Sequence, residues 1–330
     1  MIPKETIALT GSTGHIGAAL IPLLISKGYR VRALVHHHQP AYDPSVVETV
    51  RGSLSDLVSL NELVRGCRVV IHCAAIISLD SNRDPSLYET NVQGTMNVFS
   101  AAGQAGVKRF IQVSSIHAYD QVRADGLLNE ESEYCSNRAA RYDQSKRDAQ
   151  QFVLERSSGP MEVVVLNPTA VVGPYDSRPS LLGKAIQDLY NKKVPMLISG
   201  GFDFCDVRDV ASGIVSAIDR GRNGHSYLLS GKWHSLDDMQ KIILGIKGDN
   251  RGVPVLPAWT GYLGLPFTRM VAALNRQEPL YTRESIITLI QGNKNISSEK
   301  AARDLGYACR PFPETIADTI TWFKETGHLL

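Results

Sequence analysis

The chain has 330 residues, 43% hydrophobic and 21% charged, with 35 basic and 33 acidic side chains for a formal net charge of +2. That is ordinary for a globular protein with a large core, built as one α/β unit or two joined lobes, and gives no reason to expect nucleic acid or an anionic membrane as a partner. Five scattered cysteines, Cys67, Cys73, Cys135, Cys205 and Cys309, never in a CxxC, suit reduced thiols in a cytoplasmic compartment.

In chain order, "MIPKETIALTG" shows no signal-peptide pattern and runs almost directly into a strand, "TIALT". "TGSTGHIG" follows, then a helix, "IGAALIPLLISKG", stopped by Gly28. "YRVRALV" is a short β-branched strand that leads into three histidines, His36, His37 and His38. "VVIHCAA" is the fourth strand, "PSLYETNVQGTMNVFSAAGQAG" one long helix, and "RFIQVSS" the fifth strand. "RAARYDQSKRDAQQFVLERSSG" is a helix, and "MEVVVLNP" a strand closed by Pro168. Strands alternating with helices of this length predict right-handed βαβ units and a doubly wound, Rossmann-type α/β fold with a parallel sheet.

After Pro168 the texture changes. "GPYDSRPS" is a turn-rich link, and later helices alternate with proline- and glycine-rich loops. "SSEKAARDLGY" predicts a helix with a serine N-cap and Gly306 just past its end. Residues 1–170 are expected to form the dinucleotide-binding domain, which also uses 203–230, where "DVRDVASGIVSAIDRG" can supply a further helix; 171–330 are expected to form mainly a smaller substrate lobe.

"VPVLPAWTGYLGLPFTRMVAAL" (253–274) is the longest apolar stretch, but three prolines, two glycines and Arg269 argue against a membrane span. Its aromatics Trp259, Tyr262 and Phe267 could roof an apolar pocket as a cluster, or simply pack.

Between the first strand and helix, Gly11 permits a sharp turn, Gly14 a close approach of backbone to a pyrophosphate, and Gly17 close packing of helix on strand. The spacing is GxxGxxG, a loose form of the dinucleotide fingerprint. Tyr142 and Lys146 stand four apart on one helical face, where a protonated lysine would lower the phenol's pKa and fit it for proton transfer. Ser114 and Ser115 end the fifth strand at the carboxyl edge, where open α/β sheets bind ligands.

Together "TGSTGHIG", "HCAA", "NVQGTMNV", "VSS", "YDQSK" and "NPTAVVGP" resemble the extended short-chain dehydrogenase/reductases, the NAD-dependent epimerase/dehydratase superfamily. "SSEKAARDLGY" and "ETIADTITWF" are most similar to its dihydroflavonol-reductase and 3β-hydroxysteroid-dehydrogenase branches. The resemblance implies that Tyr142 is the acid/base, that Lys146 tunes it and binds the nicotinamide ribose, and that Ser115 bonds the substrate oxygen, with Ser114 as the alternative one register away. Asn91 would help order the site, or serve only as a buried helix amide. The implied cofactor contacts are Gly11, Ser12, Thr13, Gly14, His15, Ile16 and Gly17, then Arg32, His36, Ser53 and Leu54, then Cys73, Ala74 and Ala75, and finally Asn167, Pro168 and Thr169. His72 reads as a core histidine, and His117 and Asp120 fall where members of the family contact substrate.

The three histidines follow the second strand, where this fold reads the adenosine ribose. No Asp or Glu lies between Gly17 and Asp43 to favour NAD, and His36 stands where NADP-using relatives carry arginine. NADP is therefore the expected cofactor, with NAD possible; a solvated loop is the plainer alternative, and no metal is expected. The expected function is reduction of a carbonyl, or oxidation of a secondary alcohol, on a small, mainly apolar molecule. The alternatives are a nucleotide-sugar epimerase or dehydratase and a non-catalytic NADP sensor. Against a diphosphate-bearing substrate, Phe202 occupies the position of the arginine such enzymes carry about seven residues before the last aspartate of "GFDFCDVRD". A homodimer through the long helices is possible, as is a monomer.

Overall fold

Alternation along the strands builds a sheet buried on both faces. Ile7 and Leu9 of β1 (Thr6–Thr10) face one core and Ala8 the other, and all three are fully buried. The same two-sided burial marks β2 (Arg30–Val35), β4 (Val69–His72), β5 (Arg109–Val113) and β6 (Glu162–Pro168). With β3 (Val47–Arg51) and the strand His225–Leu229 they form a seven-stranded, all-parallel sheet in which β1 is flanked by β2 and β4. The chain thus has the doubly wound, Rossmann-type α/β fold. The computed structural model describes residues 5–37, 42, 43, 45–77, 85–121, 126–261 and 283–329.

Helix α1 (His15–Ser26) and the helix Val207–Arg220 share a core on one face. On the other lie α2 (Leu57–Val64), Gly94–Gln104 and Arg141–Leu154. The long helix expected over 85–106 is interrupted: an α-turn at Ser86–Tyr88 passes into a π-helical turn at Glu89–Gln93 before Gly94–Gln104 resumes.

A third core gathers Ile186, Phe204, Met239, Phe312 and Phe323 beside a three-stranded sheet made by Ala170–Val172, Gly201–Asp206 and Lys232–Ser235. The segment 203–230 is therefore shared. Residues 203–206 belong to this smaller sheet, whereas Val207–Arg220 and His225–Leu229 complete the larger layer. The helix Glu299–Leu305 has Gly306 in the left-handed region at its end, as expected, but Ser298 makes no side-chain cap bond. No helix among the described residues is long and apolar enough to cross a membrane.

Candidate active site

Strand order reverses between β1 and β4, which opens a crevice at their carboxyl ends. The glycine turn sits there. Gly11 has φ +74°, and a Cβ on it would stand 2.6 Å from the Ala74 nitrogen, so only glycine allows the chain after β4 to pass so close. A Cβ on Gly17 would stand 2.2 Å from the Gly11 carbonyl oxygen, so the start of the helix packs closely on the turn itself. On Gly14 a Cβ would meet only the Gly11 oxygen, at 3.3 Å. Helix α1 starts at His15 with no side-chain cap and no acidic residue in its first turn. Free N–H donors, a positive dipole end and an uncrowded glycine suit a diphosphate.

The other residues of the turn fix it in place. Ser12 Oγ donates to the Leu34 carbonyl at 3.1 Å, tying the turn to β2, and Ile16 packs against the first core. His15 Nε2 donates to the carbonyls of Gly173 and Pro174 at 3.2 and 2.9 Å, reaching the start of the second lobe. Arg178 Nη2 donates to the Thr13 carbonyl at 2.6 Å.

Across the crevice, Tyr142 and Lys146 lie in the first two turns of Arg141–Leu154, 8% and 6% exposed. Lys146 Nζ stands 5.9 Å from the Tyr142 ring centre. Burial raises the Tyr142 phenol well above its ordinary range, a hydrogen bond with Ser115 opposes that rise, and Asp143 adds to it. The lowering expected from lysine does not appear; burial dominates, because the phenol has little water to stabilise its anion. Burial also pushes the Lys146 ammonium down to about 8, with the Cys73 thiol acting in the opposite direction. Cys73 itself is pushed up to about 12 by burial, which makes it a poor nucleophile.

Ser115 is the N-cap of the short turn Ile116–Ala118, and its Oγ accepts from the His117 N–H at 3.2 Å. Its carbonyl accepts from Asn167 Nδ2 at 2.8 Å, and the same nitrogen donates to Gln150 Oε1 at 2.6 Å. Ser114 Oγ and Asn167 Oδ1 are buried with no hydrogen-bond partner among the described residues. Unsatisfied polar atoms at the carboxyl edges of β5 and β6 suit a ligand that brings donors. Pro168 ends β6, and the Thr169 N–H donates to the Leu229 carbonyl at 3.3 Å.

Asn91 lies inside the π-turn. Its Oδ1 accepts from the Ile76 N–H at 2.8 Å, and its Nδ2 donates to the Ile76 carbonyl and to Ser145 Oγ, both at 3.0 Å. Ser145 Oγ in turn donates to the Tyr142 carbonyl at 2.7 Å. Asn91 therefore joins the chain after β4 to the helix of Tyr142 and Lys146.

His72 supports the same region. The Thr95 hydroxyl donates to the Asn91 carbonyl at 2.7 Å, so it accepts from His72 Nε2–H at 2.9 Å; His72 Nδ1 then accepts from the Thr10 hydroxyl at 2.7 Å. Thr10 Oγ1 also accepts from the Ala74 N–H at 3.3 Å. Burial first, and the charge of Lys146 second, push His72 down to about 3, in keeping with a neutral core imidazole.

Not every expected residue meets at the crevice. Arg32 does not: its guanidinium pairs with Glu48 at 2.8 Å and donates to the Arg65 carbonyl at 2.6 Å, which draws it to the end of α2. His36 and His37 are exposed at the end of β2, ring centres 3.5 Å apart, and His38 lies outside the described residues. Ser53 Oγ bonds to Ser55 Oγ at 3.0 Å, and the Leu54 carbonyl accepts from Asn97 Nδ2 at 2.8 Å. Phe202 packs edge-on against Phe204. Trp259 is 63% exposed, while Tyr262 and Phe267 lie outside the described residues.

His117 is brought closer than the sequence could show. Its Nδ1 bonds to Asp143 Oδ1 at 2.8 Å, and its ring stands edge-on to Tyr142 with centres 5.3 Å apart. The Asp120 N–H donates to the Glu133 carbonyl at 2.9 Å. Ser145, Gln150 and Arg178 were not singled out from the sequence. Ser145 had a signal in its place between Tyr142 and Lys146, whereas Arg178 depends on a contact 165 residues away.

A model of the NAD dependent epimerase/dehydratase family matches residues 7–230. A protein of Methylococcus capsulatus named sterol demethylase protein B is 30% identical over 98% of this chain and all of its own length (100%). A Stigmatella aurantiaca ketoreductase, named for 4-hydroxy-2-methyl-3-oxo-4-farnesyl-3,4-dihydroquinoline-1-oxide, is 29% identical over 92% of this chain and 91% of its own. Among solved structures, the crystal structure of gox2253 matches with a TM-score of 0.82 and 32% identity, covering 99% of each chain.

Proposed function

The chain belongs to the NAD dependent epimerase/dehydratase family, and on that premise we propose that it interconverts a carbonyl and a secondary alcohol on a small, mainly apolar molecule, preferring NADP(H). The observation that carries this reading is the burial of Tyr142, Lys146 and Ser115 together at the carboxyl edge of the sheet. Bound nicotinamide supplies or accepts the hydride. The Tyr142 phenol gives its proton to the carbonyl oxygen in reduction and receives one in oxidation. Ser115 donates a hydrogen bond to that oxygen as negative charge develops on it. Lys146, protonated below pH of about 8, favours the phenolate as the proton leaves.

Residues 11–17, 73–75 and 167–169 form the proposed cofactor surface, and the second lobe closes over the substrate. Phe202 offers no charge to a sugar nucleotide, and the two relatives named for a sterol and a farnesyl-bearing quinoline favour an apolar ligand. The missing acid after β2 and the exposed His36 favour NADP over NAD.

The test is nicotinamide absorbance with a panel of ketones, aldehydes, steroids and nucleotide sugars, using each cofactor. Tyr142→Phe should lower kcat by about 10²–10⁴-fold, with NADPH affinity nearly unchanged. Substantial turnover by that variant would remove the mechanism, and tight binding of a UDP-sugar would favour an epimerase instead. A NADPH-to-NADH ratio of kcat/KM that His36→Ala with His37→Ala does not move would return the histidines to a solvated loop.

A further inference from the structure

The segment 173–180 follows the first strand of the smaller sheet and turns back over the glycine turn. His15 anchors its start through the Gly173 and Pro174 carbonyls. Tyr175 then takes a left-handed conformation, φ +71°, which a side-chain-bearing residue adopts at a cost. Three residues later, Arg178 arrives at Thr13, between Gly11 and Gly14.

The partners of Arg178 are unusual for a cation. Nη2 donates to the Thr13 carbonyl at 2.6 Å and to Thr13 Oγ1 at 3.2 Å, both neutral oxygens. Among the described residues, its other guanidinium nitrogens make no hydrogen bond and no carboxylate pairs with it. The acid nearest in sequence, Asp176, is buried and accepts instead from the Ser180 N–H and hydroxyl, at 2.8 Å each to Oδ2. An exposed guanidinium with unused donors therefore stands at the mouth of a turn whose helix carries no acid in its first turn.

We propose that Arg178 is a ligand of the dinucleotide's diphosphate, supplied across the crevice by the second lobe. The planar guanidinium exchanges a neutral carbonyl for two anionic phosphate oxygens, a stronger partner for its fork of donors. The diphosphate would then be held from two sides, by the N–H groups of α1 and by Arg178. Binding of cofactor would in this way fasten the lobe that carries the substrate surface. The inference rests on the dinucleotide reading of the glycine turn.

Titration calorimetry of the full chain with NADPH, NADH and ADP-ribose separates the two ideas. Failure of the wild-type protein to bind any of them would refute the dinucleotide reading itself. If wild type binds, Arg178→Gln should weaken all three alike by about tenfold, the scale of one charge-assisted hydrogen bond at a partly exposed site. Arg178→Lys should recover part of that loss, because it restores the charge without the fork. Unchanged affinity in Arg178→Gln, with its thermal melt matching wild type, would overturn the inference. So would a loss confined to NADPH, since that would place Arg178 at the 2′-phosphate.

Discussion

Lys146 illustrates how function and stability pull apart at a single residue. Lys146 is 6% exposed, and its ammonium is pushed down from its ordinary value to about 8, mainly by burial. A lysine whose pKa is lower in the folded state makes folding less favourable wherever it must stay charged. The penalty is complete below pH of about 8, shrinks as pH rises, and is gone above about 10.5, where both states are neutral. At neutral pH it amounts to roughly 3 kcal/mol at most. Lys146→Met should therefore melt higher than wild type at pH 7, by several degrees, while turnover collapses. The advantage should fade as thermal melts are repeated toward pH 10. A variant less stable than wild type at pH 7 would show that the ammonium stabilises the fold instead. The spacing of Tyr142 and Lys146 was plain in the sequence, because helical periodicity alone puts them on one face. The rise that burial imposes on the phenol was not, since desolvation depends on what packs around the helix. Arg32 turns away for a related reason: the resemblance gives its place on β2, but not the Glu48 carboxylate and α2 carbonyls that draw its guanidinium.

Between β4 and the helix of Tyr142, the decisive feature is the π-turn at Glu89–Gln93. Apolar residues recur at helical spacing on both sides of it, so the sequence reads as one continuous helix. The break appears only when Asn91 is seen bonded to Ile76 and Ser145, two segments far away in sequence. Single π-turns are often kept at functional sites, where they re-aim a side chain. The His72 bonds to Thr10 and Thr95 then connect this turn to the end of β1. His72 is buried and pushed down to about 3, so charging it opposes the fold. Its folded value lies below its unfolded one; stability is thus intact above pH of about 6.5 and falls as pH drops from there toward 3. The slope approaches about 1.4 kcal/mol per pH unit in the middle of that window. His72→Gln should flatten this acid limb in urea titrations between pH 6.5 and 4, whatever it does to stability at pH 7. An unchanged slope would mean that His72 is not the group that titrates.

At the scale of the whole molecule, the parallel sheet was legible because each strand and helix is long enough to show its own period. The smaller lobe was much less so. Strands such as Ala170–Val172 and Leu197–Ile198 have three and two residues, too few for any alternation to register. What fastens that lobe is equally non-local. Asp206 caps the helix Val207–Arg220 and its side chain is fully buried; it accepts from Arg208 Nε and Nη2 at 2.9 and 2.7 Å. Arg208 reaches on to Asp318 at 2.6 Å, in the C-terminal helix Phe312–Glu325, while Arg310 pairs with Asp209 at 2.6 Å and approaches Asp206 at 3.6 Å. Burial alone would raise the Asp206 carboxyl, but the hydrogen bonds from Arg208 outweigh it and hold the acid below its ordinary range. These contacts link the helix that lies beside α1 to the helix that lies over the third core. Asp206→Ala removes the shared acid, leaving Arg208 and Arg310 partly buried without it. Breaking such a network from one side costs about 3 kcal/mol. Because the loss falls at the junction, calorimetric unfolding should split, with the smaller lobe melting ahead of the sheet. The wild-type protein should show one transition under the same conditions, and Asp206→Asn, which keeps the cap but not the charge, should fall between the two. A single, unshifted transition in Asp206→Ala would show that apolar packing joins the two layers without help from these charges.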